Sequence, residues 1–366
     1  MKKPFYAPLL RAKPGEFTSL KHLPESTKSK LLPLFDIPRN TSKAKFPKTD
    51  IEHLDGIVTE IQKVWAERPL MVDATSWSPG AMISNGEHVM GYLHSRLEAA
   101  SIQTFPVIGY DRWDDEVYKT ALSSIRLTEG RSFVLRLDQD AIEDQLDRSY
   151  FDARLTDILL AVGSSAMECI VLIDLADLSY KSVADVMDRL PDTISALHEL
   201  QFKQIIVAGS SIPATINLAV KYSATEGYVQ RKEMIAWQAL TADFPQLVFG
   251  DYGVRSPRSN EEVIAPDTNG KIRYTIGKKF FIARGYSLRT KDKGAQHHGL
   301  AKKIIESQHY MGPDFSWGDL QISHCAEREF SGNSTTWIGI DTNHHLEMVV
   351  REVIEFLAAP KITVQS

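Results

Sequence analysis

Eight short apolar runs, rich in β-branched and aromatic residues, recur along the chain. They are FYAPLL (5–10), LLPLFDI (31–37), LMVDAT (70–75), TFPVIGY (104–110), SFVLRLD (132–138), CIVLIDL (169–175), KQIIVAG (203–209) and QLVFGDY (246–252). Their starts are separated by about 25 to 45 residues, the size of a βα unit. Between them lie stretches with helical periodicity. IEHLDGIVTEIQKVWAE places Ile51, Leu54, Ile57, Val58, Ile61 and Val64 on one face. GEHVMGYLHSRLEAA, DDEVYKTALSSIRLTE, SVADVMDRLPDTISALHEL and RKEMIAWQAL behave in the same way, with Pro191 required to start or interrupt a helix. Near-continuous apolar strands alternating with helices predict a parallel sheet covered on its faces. Eight units predict a closed (β/α)8 barrel. The rival, a doubly wound open sheet, lacks a Gly-rich phosphate fingerprint after its first strand.

After the eighth run the pattern changes. Residues 253–341 read as an insertion in the eighth βα loop, on a barrel formed by residues 1–252. The insertion holds a hairpin, IRYTIGKKFFIARGYS (272–287), a short helix around GLAKKIIESQHY, and an irregular stretch rich in Gly, Ser and Trp. Residues 342–366 read as the final barrel helix and tail. There Leu346, Val349, Val350, Val353, Ile354 and Leu357 form an apolar stripe behind a cap at Thr342 or Asn343. Because that helix must return to the barrel wall, the insertion starts and ends at one rim. It is therefore expected to fold over the C-terminal mouth.

Composition narrows the classes. In 366 residues there are 42 Lys and Arg against 47 Asp and Glu, a formal net charge of −5. That balance argues against a surface devoted to coating nucleic acid. A local basic run, Lys271, Arg273, Lys278, Lys279, Arg284, Arg289, Lys291 and Lys293, keeps nucleic-acid binding as an alternative. Two cysteines, Cys169 and Cys325, are too few for a disulfide scaffold and point to a reducing compartment. The broken apolar run at the N-terminus does not read as a signal peptide, and no stretch reaches the length of a membrane span. A cytoplasmic protein with no membrane partner is expected.

Barrel active sites lie where the βα loops converge at the C-terminal strand ends. Those ends carry Arg11 and Lys13, Asp36, Asp73, Asp111, Arg136 with Asp138, Asp174, Ser210 with Ser211, and Asp251 with Tyr252. Each aspartate taken singly fits a helix cap or a turn. As a set, Asp36, Asp73, Asp138, Asp174 and Asp251 are candidate catalytic carboxylates. Such a group persists only with compensating charge. Arg11, Lys13 and Arg136 supply it within the chain; a divalent metal such as Mg²⁺ is the other solution. Arg11, Lys13, Arg136, Ser210 and Tyr252 are the candidate ligand-binding residues. A phosphorylated or nucleotide-like small ligand suits them, and AGSSIP (208–213) resembles a phosphate-cradling turn.

Six of eleven histidines fall in the last 70 residues. His344 and His345 diverge by roughly 100° on a helix, so at most one faces the mouth, and His344 is the candidate acid–base group. His297 and His298 read as part of a solvated loop, and Cys325 beside His324 gives no support for a catalytic Cys–His pair. Whether the chain is an enzyme stays open at this stage.

FYAPLLRAK, LLPLFDIP, FSWGD, GNSTTW and the terminal TNHHL, in this order, resemble the beta-protein family over nearly the whole chain. The resemblance implies a phage, prophage or mobile-element setting and a role in phage–host conflict. It implies no reaction and no catalytic residues. A barrel enzyme acting on a phosphorylated ligand, a non-catalytic sensor or partner-binding subunit of a defence system, and a nucleic-acid-binding protein are the three functional readings.

Overall fold

The computed structural model describes residues 4–41, 48–258, 269–289 and 293–359. The first seven strands of the barrel are β1 (Tyr6–Arg11), β2 (Leu34–Asp36), β3 (Pro69–Asp73), β4 (Gln103–Gly109), β5 (Val134–Leu137), β6 (Ile170–Asp177) and β7 (Gln204–Ser210). A short strand β8 (Glu226–Gln230) lies outside the barrel, and β9 (Val248–Asp251) is the eighth stave. All eight staves pair in parallel, and β9 returns to β1 through Tyr6 opposite Phe249 and Pro8 opposite Asp251. Every one of the eight apolar runs overlaps one stave. Alternate residues such as Leu9, Leu34, Met71, Phe105, Leu172 and Val248 fill the barrel interior. The others face the surrounding helices. Gly250 is required where staves crowd: a Cβ there would lie 2.8 Å from the Ala208 Cβ and 3.0 Å from the Ala7 carbonyl oxygen.

The connecting helices are α1 (Pro14–Lys21), α2 (Glu25–Lys28), α3 (Asp50–Trp65), α4 (Val89–Ala99) and α5 (Glu116–Ser124). They continue with α6 (Gln139–Asp144), α7 (Arg148–Ala161), α8 (Val183–Met187), α9 (Leu190–Glu199) and α10 (Lys232–Leu240). Pro191 lies in the first turn of α9, where its missing N–H costs nothing.

After β9 the chain builds a second, smaller lobe from β10 (Asn269–Ile276), β11 (Lys279–Ser287), α11 (Gln296–Ile305), α12 (Trp317–Ala326) and α13 (Ser334–Ala358). The expected hairpin is β10–β11, and β8 joins it as the third strand of an antiparallel sheet in the order β10-β11-β8. The seventh βα loop therefore also contributes to the lobe. Even-numbered residues of β10, Ile272 and Tyr274, enter the lobe's own core with Leu300, Ile304, Ile322 and Trp337. Odd-numbered ones face the barrel.

Two local expectations are corrected. The last helix starts at Ser334 instead of Thr342 or Asn343: Asn333 accepts the Thr336 amide, and the Thr336 hydroxyl accepts the Asn333 amide. Thr342 and Asn343 lie buried inside α13. The Asn343 side chain accepts the Gly318 amide at 2.8 Å and donates to the Ser19 carbonyl at 3.0 Å, so a capping residue type serves as a bridge from α13 to α12 and α1. The stretch read as irregular contains α12, capped by Ser316. Among the described residues no helix is long and apolar enough to cross a membrane.

Candidate functional site

At the C-terminal end of the barrel the strand-end carboxylates meet arginines. Asp36 and Asp73 are register partners on β2 and β3. The Arg112 guanidinium grips Asp73 with both nitrogens, at 2.8 and 3.1 Å. Arg136 on β5 bridges Asp73 at 2.8 Å and Asp174 at 2.6 Å. Tyr252 donates its hydroxyl to Asp174, 2.6 Å away, and accepts from Arg136 at 3.0 Å. Burial and the Asp73 charge push the Asp36 carboxyl up. Burial alone would do the same to Asp73, but Arg112 and Arg136 outweigh it and hold that carboxyl below its ordinary value. The structure thus brings Asp36, Asp73, Asp174, Arg136 and Tyr252 together.

Arg112 was not foreseen. It reaches the web because the chain turns back directly after β4; a Cβ at Gly109 would lie 2.2 Å from the Arg112 Nε. A strand-end glycine followed three residues later by arginine is the one signal that could have found it.

Other candidates stand apart. Asp138 caps α6 by accepting the Ala141 amide at 3.3 Å, and burial raises its pKa. Ser210 donates to the Arg255 carbonyl at 2.8 Å, and Ser211 donates to Glu233 at 2.5 Å, so both hydroxyls are committed inside the protein. Burial pushes the Glu233 carboxyl up to about 7. Asp251 is buried away from the arginine web. It accepts from Tyr6 and from the Gly253 amide (2.9 Å), lies 2.9 Å from the His345 Nε2, and has Arg231 at 3.7 Å. The candidate His344 is also fully buried, but it faces the lobe: Nδ1 meets Asp319 at 2.8 Å, Nε2 meets the Thr275 carbonyl at 2.9 Å, and the ring stacks on Tyr274. His345, its neighbour, is the one that reaches a strand-end aspartate.

A cleft of about 620 Å³ opens where the first, seventh and eighth βα loops meet the lobe, and none of the web's side chains lines it. Its volume is that of ordinary small-ligand sites, about 300–1,000 Å³. Lys13, Arg255, Arg258, Lys271 and Arg273 line it, and among the described residues no carboxylate does. Carboxylates behind the walls fix two of the cations and approach a third, the exposed Arg258. Glu16 holds Arg255 at 2.7 Å, Asp341 holds Arg273 at 2.9 Å, and Asp177 lies 3.4 Å from Arg258. Burial and the neighbouring Arg273 charge pull the Lys271 ammonium down to about 8. Burial lowers Arg255 to about 10. Ser334 and Thr335, in the first turn of α13, line the same cleft, so the positive end of that helix dipole adds to the field. His297, expected in a solvated loop, is buried on α11 and stacks on Trp337 at 4.8 Å; both line the cleft. Lys13 is thus in the cleft, as is part of the loop following AGSSIP, whereas Arg11 closes β1 at the web, its charge among those acting on Asp36.

The basic run at 271–293 does not form one solvated face. Arg273 is buried against Asp341, and Arg284 is buried while donating to the Val220 and Lys221 carbonyls at 2.6 and 2.7 Å. Lys291 lies outside the described residues. On α12, the Cys325 Sγ is 3.7 Å from the His298 Nδ1, and burial pushes the thiol up to about 12, far from a reactive thiolate. No group of three His, Cys, Asp or Glu side chains is arranged to hold a metal ion among the described residues.

The family model described as Beta protein matches residues 6–351. No curated protein matches the sequence. Among chains of known structure, a Mycobacterium tuberculosis tryptophan synthase is similar at 12% identity, over 68% of this chain and 83% of that one, with a TM-score of 0.24. That likeness bears on neither site nor function.

Proposed function

The chain belongs to the Beta protein family, and on that premise we propose that it is a barrel protein that binds a phosphorylated ligand in the cleft between the barrel mouth and the lobe. The observation that carries this reading is the lining itself, five cationic side chains and no carboxylate among the described residues. Carboxylates behind the walls compensate part of this charge, and an anion in the cleft would complete the compensation. A phosphate monoester, with two negative charges and three acceptor oxygens, suits guanidiniums that are already held in place. The lobe serves as the cap that completes the site.

Asp73 and Asp174 are engaged by Arg112 and Arg136, so the reading is recognition of the ligand in the cleft. A sensor and an enzyme both begin with this step. Recovery of the ligand unchanged after incubation identifies the sensor. The setting we propose, phage–host conflict or mobile-element biology, is supported by the family resemblance.

Calorimetric titration of the full chain with inorganic phosphate and with nucleoside monophosphates tests the proposal. Saturable binding is expected, weakened about tenfold or more by Arg258→Ala and by Lys13→Ala, since a charge-assisted hydrogen bond contributes about 1.5–3 kcal/mol. No heat of binding at millimolar ligand, or equal binding by both variants, overturns it.

A further inference from the structure

We propose that Lys271 is a nucleophilic amine that captures phosphorylated aldehydes or ketones as an imine inside this cleft. The proposal rests on the anion-binding reading above and adds the chemistry of the carbon skeleton that the phosphate carries.

The placement comes first. The strand alternation of β10 sends Ile272 and Tyr274 into the lobe core and puts Lys271 and Arg273 on the side that faces the barrel. Arg273 is fixed there by Asp341 and by donation to the Val254 carbonyl at 3.0 Å. The Lys271 ammonium, in contrast, makes no hydrogen bond or ion pair among the described residues, although it lies in an enclosed cleft. Lys271 is half-buried, and among the described residues no protein group fixes its amine where it lines the cleft.

The cleft cations also fall into two kinds. Arg255, Arg258 and Arg273 carry guanidiniums, which stay charged and present planar donors to a phosphate. Lys271 can give up its proton. Two neighbouring charges favour that loss, Arg273 on its own strand and Arg255 behind β9; Lys13, Arg258 and His297 stand on the other walls. Among the described residues Asp341 on α13 is the one carboxylate acting on it, and that carboxylate is committed to Arg273. With the amine near 8, about one molecule in ten holds it neutral at pH 7. Neutral lysine in such a setting is the form that adds to carbonyl groups.

The step balances without another reactant. The Nζ lone pair forms a bond to the carbonyl carbon, and the C=O π pair moves to oxygen, which takes the proton released by nitrogen. The resulting hydroxyl leaves as water with one further proton as the second C–N bond forms. Amine and carbonyl give imine and water, and hydrolysis reverses the step.

Pyridoxal 5′-phosphate, a phosphorylated aldehyde, is a suitable probe on the full chain at pH 7.5, with borohydride reduction and peptide mass mapping. Lys271 is expected to be labelled at least tenfold faster than the exposed Lys63 and Lys302. Inorganic phosphate should slow that labelling, and pyridoxal without its phosphate should react at least tenfold more slowly. Lys271→Arg keeps the charge and should bind phosphate while forming no adduct. Labelling of Lys271 at the rate of the exposed lysines overturns the proposal. If calorimetry shows phosphate binding but no adduct forms, the imine falls and the anion site stands. If phosphate neither binds nor protects, both fall.

Discussion

His345 and Asp251 are 94 positions apart in the chain, yet the His345 Nε2 lies 2.9 Å from the Asp251 carboxylate, with both side chains buried. The other ring nitrogen meets the Thr275 hydroxyl at 2.8 Å, so one imidazole ties α13 to β9 of the barrel and to β10 of the lobe. Burial lowers the His345 pKa. The neutral ring then donates from Nε2 to Asp251 and accepts at Nδ1 from Thr275. Truncation removes both bonds and leaves a cavity against Phe280 and Tyr6. His345→Ala should cost about 2–5 kcal/mol in urea unfolding. His324→Ala, at a partly exposed position on α12, should cost less than about 0.5 kcal/mol. Equal effects would mean that the imidazole does not hold the lobe to the barrel.

Arg136 is the next test, because one guanidinium serves two carboxylates. Arg136→Met should destabilise the fold by about 3–5 kcal/mol, since Asp174 would keep only the Tyr252 hydroxyl and the Ala176 amide while losing its opposite charge. Arg136→Lys should recover only part of this, because an ammonium cannot reproduce contacts to Asp73, Asp174 and Tyr252 in one plane. Chemical denaturation of the two variants beside the wild type decides it. A lysine variant as stable as the wild type would show that charge, without geometry, suffices.

How much of this was legible in the sequence follows from what each element buries. The eight staves are buried on both faces, so each appears as an unbroken apolar run. The strand β8, EGYVQ, exposes Glu226, Tyr228 and Gln230, and its Val229 alone among them packs inward; five residues of that kind carry no signal. The start of α13 was hidden because the residues it buries there include Asp341, Thr342, Asn343, His344 and His345, which interrupt the apolar stripe. In the site, Asp36, Asp73, Arg136, Asp174 and Tyr252 were legible because strand ends converge in a barrel. Arg112 and Arg255 were not, because a partner supplied by another loop leaves no spacing in the chain.

Glu233 carries a pH dependence. Its carboxyl is raised from 4.5 to about 7 by burial, so the fold favours the protonated form. That stabilisation is complete below the unfolded value and is lost as pH rises through the folded one. Between pH 5 and pH 8 the wild type should therefore lose stability, by up to the order of 3 kcal/mol from this group. Glu233→Gln keeps an oxygen that can accept from Ser211 and should flatten the profile, leaving the variant the more stable form at pH 8. A shallower slope should remain from Asp341, raised to about 6 by burial. Melting temperatures measured across that range check both the sign and the variant. A wild-type stability that rises from pH 5 to pH 8 would contradict the assignment.

Gly15 connects packing to the cleft. It lies in the first turn of α1, and α1 packs closely along α13 at this point. A Cβ at position 15 would be 2.7 Å from the Ile338 Cγ2 and 3.1 Å from the Thr335 carbonyl oxygen. The Ile338 methyl can be removed by mutation, but the Thr335 oxygen belongs to the backbone of α13 and cannot move without the helix. Gly15→Ala should therefore separate the two helix starts, with a stability loss of about 1–3 kcal/mol. Because Lys13, Gly15, Thr335 and Ile338 all line the cleft, the same shift of a few tenths of an ångström should also weaken phosphate binding. The double variant Gly15→Ala/Ile338→Ala relieves the methyl contact. Relative to Ile338→Ala alone it should show a smaller loss of both stability and affinity than Gly15→Ala causes in the wild type. That non-additivity, measured by denaturation and by calorimetry on the same four proteins, is what a direct contact requires. Strictly additive effects would place the two residues out of contact and remove the close approach of α1 and α13 as the frame of the cleft.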